Sequence, residues 1–572
     1  MVQPPHLEGS AMTLILGRRT LLKAMGGAAG AAMLGACNES RVRSTGPRPT
    51  VRVKSWTSLG YPGPYTYTGN PGYWRMSLLF DTLLWPDSTG TQLPWLAKSH
   101  TASEDGMTHT LELRDARFAD GRPVRAQDVK FTYDYYTDEA RVWTPLLIAV
   151  PRAGIDVRVL SERTVEFRLD RPDPLFVQQV LGSMPVTPEH VFSQISDPMG
   201  TQENKVLNGC GAYKLVARSL TQDFEAYEAK DDYYLGRPFV KRIEMVTTTD
   251  DNDLNAIKIG ALDAGSSPAE GVRNEAIKPF LDDPQYGVVT REAGFGFPMF
   301  FNMAKGGALA DVRFRRACLH AIDRNDLVNR LLTGNGVVGN PGWLAPSNPF
   351  YEPDVPQYPF DRVEAERLLD EAGYRRKAGG NRTNPDGTPL RYQLVMPDVV
   401  NVALAELVAD SFKQVGLEIE LKRVDLIATF GLKISSGYDL LITAYPGPAP
   451  VGPEMDPDLM RAVYHSKPIG NAGTLVKTAG YQNSEVDRLL EAQASTYDVA
   501  ERKRLVSQVQ KLVAADLPVA MLYYTKWYFV FRKSVFDQWY FTPGGFALGA
   551  PDAYNKHPYI TGRKVGTEIR EA

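Results

Sequence analysis

The chain predicts an α/β protein of two or more lobes. Three observations carry this. At 572 residues it is long for one hydrophobic core, so it is expected to divide. Strand-like alternation and helix-like spacing follow one another with no short repeat, the pattern of mixed α/β lobes. After Cys37 no apolar run approaches the length of a membrane-spanning helix, so the lobes are expected to be water-soluble. Composition agrees, with 43% hydrophobic and 23% charged residues and a formal net charge of -3. That balance lacks the basic footprint of a nucleic-acid partner.

The chain opens on an export address. Arg18-Arg19-Thr20-Leu21-Leu22-Lys23 precedes a weakly apolar run from Ala24 to Met33, and Leu34-Gly35-Ala36-Cys37 follows. A charged start, a short apolar stretch and small residues before a cut site make a signal peptide. The Arg pair resembles a twin-arginine signal, which exports folded proteins. Leu34 to Cys37 resembles a lipobox, which makes Cys37 the expected lipidation site. An Arg pair alone is common, and an Ala/Gly run alone is often a disordered start. The order of all three features carries the reading. Residues 1–37 are therefore expected to be the signal and 38–50, polar with Gly and Pro, a tether. Either Met1 or Met12 can be the start. One acyl chain binds a membrane only reversibly, so multiple acylation is expected. Cys210 and Cys318 are read as buried free thiols.

The elements then follow in order. Val51-Arg52-Val53 is a first strand, and Thr108 to Arg114 alternates as another. Phe118 to Pro123 makes a turn, and Ala126 opens a helix running through Tyr135. Val157 to Val159 and Val165 to Leu169 alternate around Ser161-Glu162-Arg163 as a hairpin. Asp361 caps a helix expected to bury Val363, Leu368, Leu369 and Ala372 before Gly373 ends it. Asn401 to Val415 is a second such helix, ended by Gly416, with a strand Leu417 to Leu421 behind it. Tyr438 to Thr443 is a further strand. Ser484-Glu485-Val486-Asp487 reads as a capping box for a helix carrying Leu489 and Leu490.

Several segments together resemble one family. His109 to Tyr136 holds a strand, an Asp-Gly-x-Pro turn and an Ala-x-Asp-Val helix start. Asn208 to Leu215 holds Gly-x-Gly-x-Tyr, and Asp231 to Met245 holds Tyr-Tyr-x-Gly-x-Pro, with Tyr234 where Trp is usual. Phe300 to Val328, Gly480 to Ala492 and Glu501 to Tyr524 supply three more segments in the expected order. The chain resembles the extracytoplasmic solute-binding proteins of the peptide/nickel/opine class, solute-binding protein family 5, which serve ABC importers. Most motif residues are expected to be structural, with Asp311, Arg313 and Arg315 pairing at a helix start.

The resemblance implies a two-lobed, type II periplasmic-binding-protein-like fold with an extra domain inserted in the first lobe. Lobe I is expected over 51–77, 183–289 and 516–572, the inserted domain over 78–182 and lobe II over 290–515. The chain then crosses near Thr290 and returns near Asp516. Solute is held between the lobes and passed to permease and ATPase subunits, without catalysis and without a cofactor. A monomer, anchored outside the membrane by lipid, is expected.

The resemblance also suggests contacts. Tyr445 follows the strand Tyr438 to Thr443 where peptide-binding relatives pack an aromatic ring on the ligand. Pro448 stands where they carry the Asp that meets a peptide ammonium, and Ile442 where some carry an Arg. Glu454, Asp456 or Asp458 can replace that acid only if the loop folds back; Asp456-Pro457-Asp458 otherwise starts a helix. A buried ammonium without a counter-charge is costly. Trp56 to Trp74 is rich in rings among Gly and Pro. Trp56 and Tyr67 from it, with Asn302 and Tyr523, complete the candidate ligand contacts; the alternative is that the rings pack the lobe interface. Peptide-like cargo is favoured over an oligosaccharide, an opine or a metal complex. The seven His are dispersed, which disfavours a metal site. No Gly-x-Ser-x-Gly or His-Glu-x-x-His motif supports an exported hydrolase.

Overall fold

The computed structural model describes residues 50–55, 60–67, 69–137, 154–248, 253–268, 271–376, 380–398, 400–444, 456–468, 477–543 and 553–570. All fall within one compact unit, Gly46–Ala572. The export signal with Cys37, Trp56, Tyr445, Pro448 and Glu454 lie outside the described residues.

Lobe I is built on parallel strands Val51–Lys54 and Arg242–Val246, extended antiparallel by Phe224–Ala229 and Tyr213–Ser219. Alternation does the sorting: Val51 and Val53 are buried, while Arg52 and Lys54 turn outward. Trp74, Ile243, Met245, Phe529 and Tyr559 fill the core. The Gly-x-Gly-x-Tyr motif has a steric cause. The Gly211 N–H donates to the Leu79 carbonyl at 2.8 Å, and a Cβ on Gly211 would lie 2.5 Å from the Leu79 carbonyl carbon.

A second, four-stranded antiparallel sheet takes Ala97–Ala102, Thr108–Leu113, Thr164–Leu169 and Ile155–Val159 in that order. Helix Ala126–Thr137 covers it, burying Val129 and Tyr133. Asp128 ties the helix start to a later segment by accepting from the Arg125 and Glu189 N–H groups at 2.9 and 3.0 Å. The same core holds Tyr61, Tyr65, Phe192, Val206 and Cys210. Cys210 and Cys318 are both free and buried, and burial pushes the Cys210 thiol up to about 12.

A buried ion pair ties the segment leading into this sheet to lobe I. Lys556 and Asp81, both fully buried, meet at 2.6 Å. Trp95, Tyr233 and Tyr234 donate to the same carboxylate, and the Lys556 ammonium lies 4.1 Å from the Trp85 ring centroid.

Lobe II is a sheet packed on both faces. Leu394, Leu440 and Leu522 face helices Val312–Ala321 and Val402–Gln414. Val395, Leu441 and Met521, each one residue away, face helices Ser484–Ala494 and Val499–Asp516. This is the period of two that a strand imposes.

Local expectations fail in three informative places. Helix Arg362–Glu371 buries Leu369 as expected, but Val363 is 79% exposed and Ala365 is buried in its place. The cap of helix Ser484–Ala494 is Asn483, whose side chain accepts from the Glu485 and Val486 N–H groups. Asp311 does pair with Arg313 at 2.8 Å, but Arg315 turns inward and donates to the Asp516, Leu517 and Leu309 carbonyls.

Candidate functional site

Two long strands join the lobes. Tyr286–Phe301 leaves lobe I and Val519–Arg532 returns to it, antiparallel and paired along nearly their whole length. Their register breaks between Arg291 and Phe295, opposite Trp527 and Thr525. Side chains before the break pack in lobe I, as Tyr286, Val530 and Phe531 do. Those beyond it, such as Phe297, Ala520, Leu522 and Tyr523, pack in lobe II. Extra residues in a paired strand bend it, so the break marks the crossing.

Strand directions show what faces the crossing. Ala264–Ser266 runs antiparallel to the return strand and so points its carboxyl end at the break. Val51–Lys54 runs alongside it: Arg52 is fixed to Asp263 at 2.9 Å, and Lys54 meets Asp253, which abuts Gly265. In lobe II, Leu440–Ile442 runs antiparallel to the outgoing strand, with Arg391–Pro397 and Glu418–Val424 parallel to it. These three point their carboxyl ends back at the break. Open α/β sheets bind ligands in the crevice outside strand carboxyl ends. Here two such crevices face each other.

The floor at the break is aromatic. Phe295 and Trp527 pack edge to face at 5.0 Å, and Phe541 lies 5.5 Å from Trp527. All three are half-buried. The Arg291 guanidinium sits 5.8 Å from the Phe541 ring centroid, and Glu292 pairs with Lys526 at 3.1 Å. Ser267 fixes the tryptophan: its carbonyl accepts from the Trp527 indole at 2.8 Å, and its hydroxyl accepts from the Tyr528 N–H at 3.1 Å. Half-buried rings with few charges suit apolar side chains and flat or sugar rings. Sequence reasoning missed these residues. Gly294 and Gly296 inside a strand pattern were the available sign of a bulge.

The structure does not bring Tyr67, Asn302 and Tyr523 together. Tyr67 is buried in the lobe I core against Tyr73 at 5.6 Å, and burial pushes its hydroxyl far up. Tyr61, Tyr65, Tyr73 and Trp74 are buried too. Tyr523 stacks on Phe297 at 4.9 Å within the lobe II core. Asn302 lies seven residues beyond Phe295, roughly 23 Å at the rise of a strand. Its amide donates to the Ser436 and Tyr438 carbonyls at 2.9 and 2.7 Å.

The two acids left open by the sequence are engaged. Arg502 grips Asp456 through two bonds, at 2.9 and 2.8 Å. Asp458 accepts from Arg461 at 3.1 Å and from Gln493 at 2.6 Å, and helix Leu459–Tyr464 begins directly after it. Among the described residues no group of three or more His, Cys, Asp and Glu is arranged to hold a metal ion. No helix among them is long and apolar enough to cross a membrane.

Two α/β lobes joined by a paired ribbon, with opposed strand ends over an aromatic floor, define a cleft-type binding protein. The model of the bacterial extracellular solute-binding proteins, family 5 Middle, matches residues 91–455. The chain belongs to this family, the extracytoplasmic solute receptors of ABC importers. Protein XP55 of Streptomyces lividans is 30% identical over 453 residues, covering 77% of each chain. NikA from Brucella suis, solved in complex with Fe(III)-EDTA, superposes with a TM-score of 0.72 at 21% identity, covering 88% of this chain and 99% of that one. The oligopeptide-binding protein AppA of Bacillus subtilis, solved with a nonapeptide, gives 0.68 at 21% identity over 85% of this chain and 95% of that one.

Proposed function

We propose that the protein is a lipid-anchored receptor that captures a peptide-like solute between its lobes and hands it to its importer's permease. The observation that carries this is the facing of strand carboxyl ends across the crossing, above Phe295, Trp527 and Phe541. The nonapeptide held by AppA supports the cargo class. Trp56 follows closely on strand Val51–Lys54 and Tyr445 on Leu440–Ile442, so both are the proposed ring contacts. Tyr67, Asn302 and Tyr523 support the walls. Rings and backbone hydrogen bonds hold the cargo, since Arg502 and Arg461 already occupy Asp456 and Asp458. Lipid on Cys37 keeps a monomeric receptor beside its permease. The solute leaves unchanged.

The occupied acids favour a second cargo reading: an oligosaccharide, an opine or a metal complex. A thermal-shift screen of di- to pentapeptides, oligosaccharides, opines and chelated nickel separates the two, because a ligand stabilises according to its affinity and concentration. Peptides are expected to raise the melting temperature. A shift from a sugar or chelate alone would sink the peptide reading.

A further inference from the structure

We propose that Tyr497 is a latch that holds the rim of the cleft closed. The proposal rests on the cleft reading of the site but concerns a contact outside it. Tyr497 sits in the turn between helices Ser484–Ala494 and Val499–Asp516, which pack in lobe II. Its hydroxyl donates to the Gly106 carbonyl at 2.9 Å and accepts from the Asp173 N–H at 3.2 Å. Both partners belong to the inserted sheet: Gly106 lies in the turn between its first two strands, and Asp173 just after Thr164–Leu169. One side chain thus joins two separately cored bodies.

The place of the contact fits a latch. Helix Val499–Asp516 ends beside the start of the return strand, at the end of lobe II away from the crossing. Its 18 residues bring its first turn back by roughly 27 Å, to the level where lobe I begins. The mount is fixed: Thr496 donates to the Ala492 carbonyl at 3.0 Å, and Asp498 caps the next helix at the Glu501 N–H. Arg502, one turn on, clamps the Gln493 carbonyl and Asp456. The socket is shaped for the ring. Gly106 has φ +66, and a Cβ there would come 2.8 Å from the ring carbon bearing the hydroxyl. His109 reaches the same Gly106 carbonyl at 3.0 Å. The tyrosine itself is 43% exposed, so no core depends on it. A ligand-free protein with two conformations populates both, so two hydrogen bonds at the rim are enough to weight the balance.

Hydrogen exchange read by mass spectrometry on the full chain, with no solute added, tests this. Tyr497→Phe keeps the ring and removes the hydroxyl. Exchange at the Asp173 amide and over residues 103–107 should rise about three- to tenfold, with helix 126–137 unchanged and the scattering radius larger. Tyr497→Ala, which removes the ring and leaves the Gly106 turn intact, should give a local rise at least as large. Unchanged exchange in both variants overturns the latch, as does a rise spread evenly through helix 126–137, which would mean general loosening. Because no solute is present, failure here leaves the cleft reading to its own thermal screen.

Discussion

At the residue scale, many charged side chains among the described residues are committed to one another. Lys556 and Asp81 share a fully buried pair with three further donors on the carboxylate. Removing one partner strands the other charge in an apolar site. Lys556→Ala should therefore cost about 3–5 kcal/mol, read as a lower urea midpoint, while Lys98→Ala, in an exposed pair with Glu112, should cost under about 1 kcal/mol. Equal losses would contradict the burial argument. Asp456 shows where sequence runs out at this scale. Its acidity was plain, but its partner Arg502 lies 46 residues away, and no local pattern ties the two. Trp527 was missed, because its place on the floor depends on a register break that pairing alone reveals.

At the element scale, local chemistry was read well wherever cap and turn residues act on their own neighbours. Asp361 caps the helix it was expected to cap, and Asn401, expected to start its helix, caps it, each accepting from an N–H of the first turn. The miss at Asn483 is instructive, because Asn483 and Ser484 are both good caps and only geometry selects between them. Asn483 also donates to Asp516 at 3.0 Å, a long-range tie invisible in sequence. Asn483→Ala should lower stability by about 1 kcal/mol, and Ser484→Ala should have little effect in the same denaturation experiment.

The hairpin of Ala97–Ala102 and Thr108–Leu113 stacks His100 on His109, with ring nitrogens 3.0 Å apart. Burial first, then the neighbouring ring, pushes His100 down to about 4; burial also lowers His109. Both folded values lie below the unfolded value of about 6.5, so the unfolded chain binds more protons in between. Their contribution is therefore present above about pH 6.5 and is lost as pH falls toward about 4. The urea midpoint should drop across that window, and His100→Gln should flatten the drop. A midpoint that stays level in the parent protein would contradict the depressed values.

At the scale of the whole molecule, two lobes and an extra sheet were legible because length, alternation and family motifs all bear on the core. The boundaries were less so. The return was expected near Asp516, whereas Ala520, Leu522 and Tyr523 still pack with lobe II helices, and one sheet runs through both lobes. A continuous ribbon leaves no composition shift to read. The ring contacts were hard for a related reason: aromatics that follow a cleft strand serve the core or the ligand equally well by sequence. The central claim is that solute sits on the floor formed by Phe295, Trp527 and Phe541. The most direct measurement is the thermal shift given by the best solute, compared across the parent protein, Trp527→Ala, Phe541→Ala and, as an exposed control, Lys564→Ala. The account predicts that both floor variants lose most of the shift and that Lys564→Ala keeps it. A full shift in both floor variants would place the solute elsewhere and contradict it.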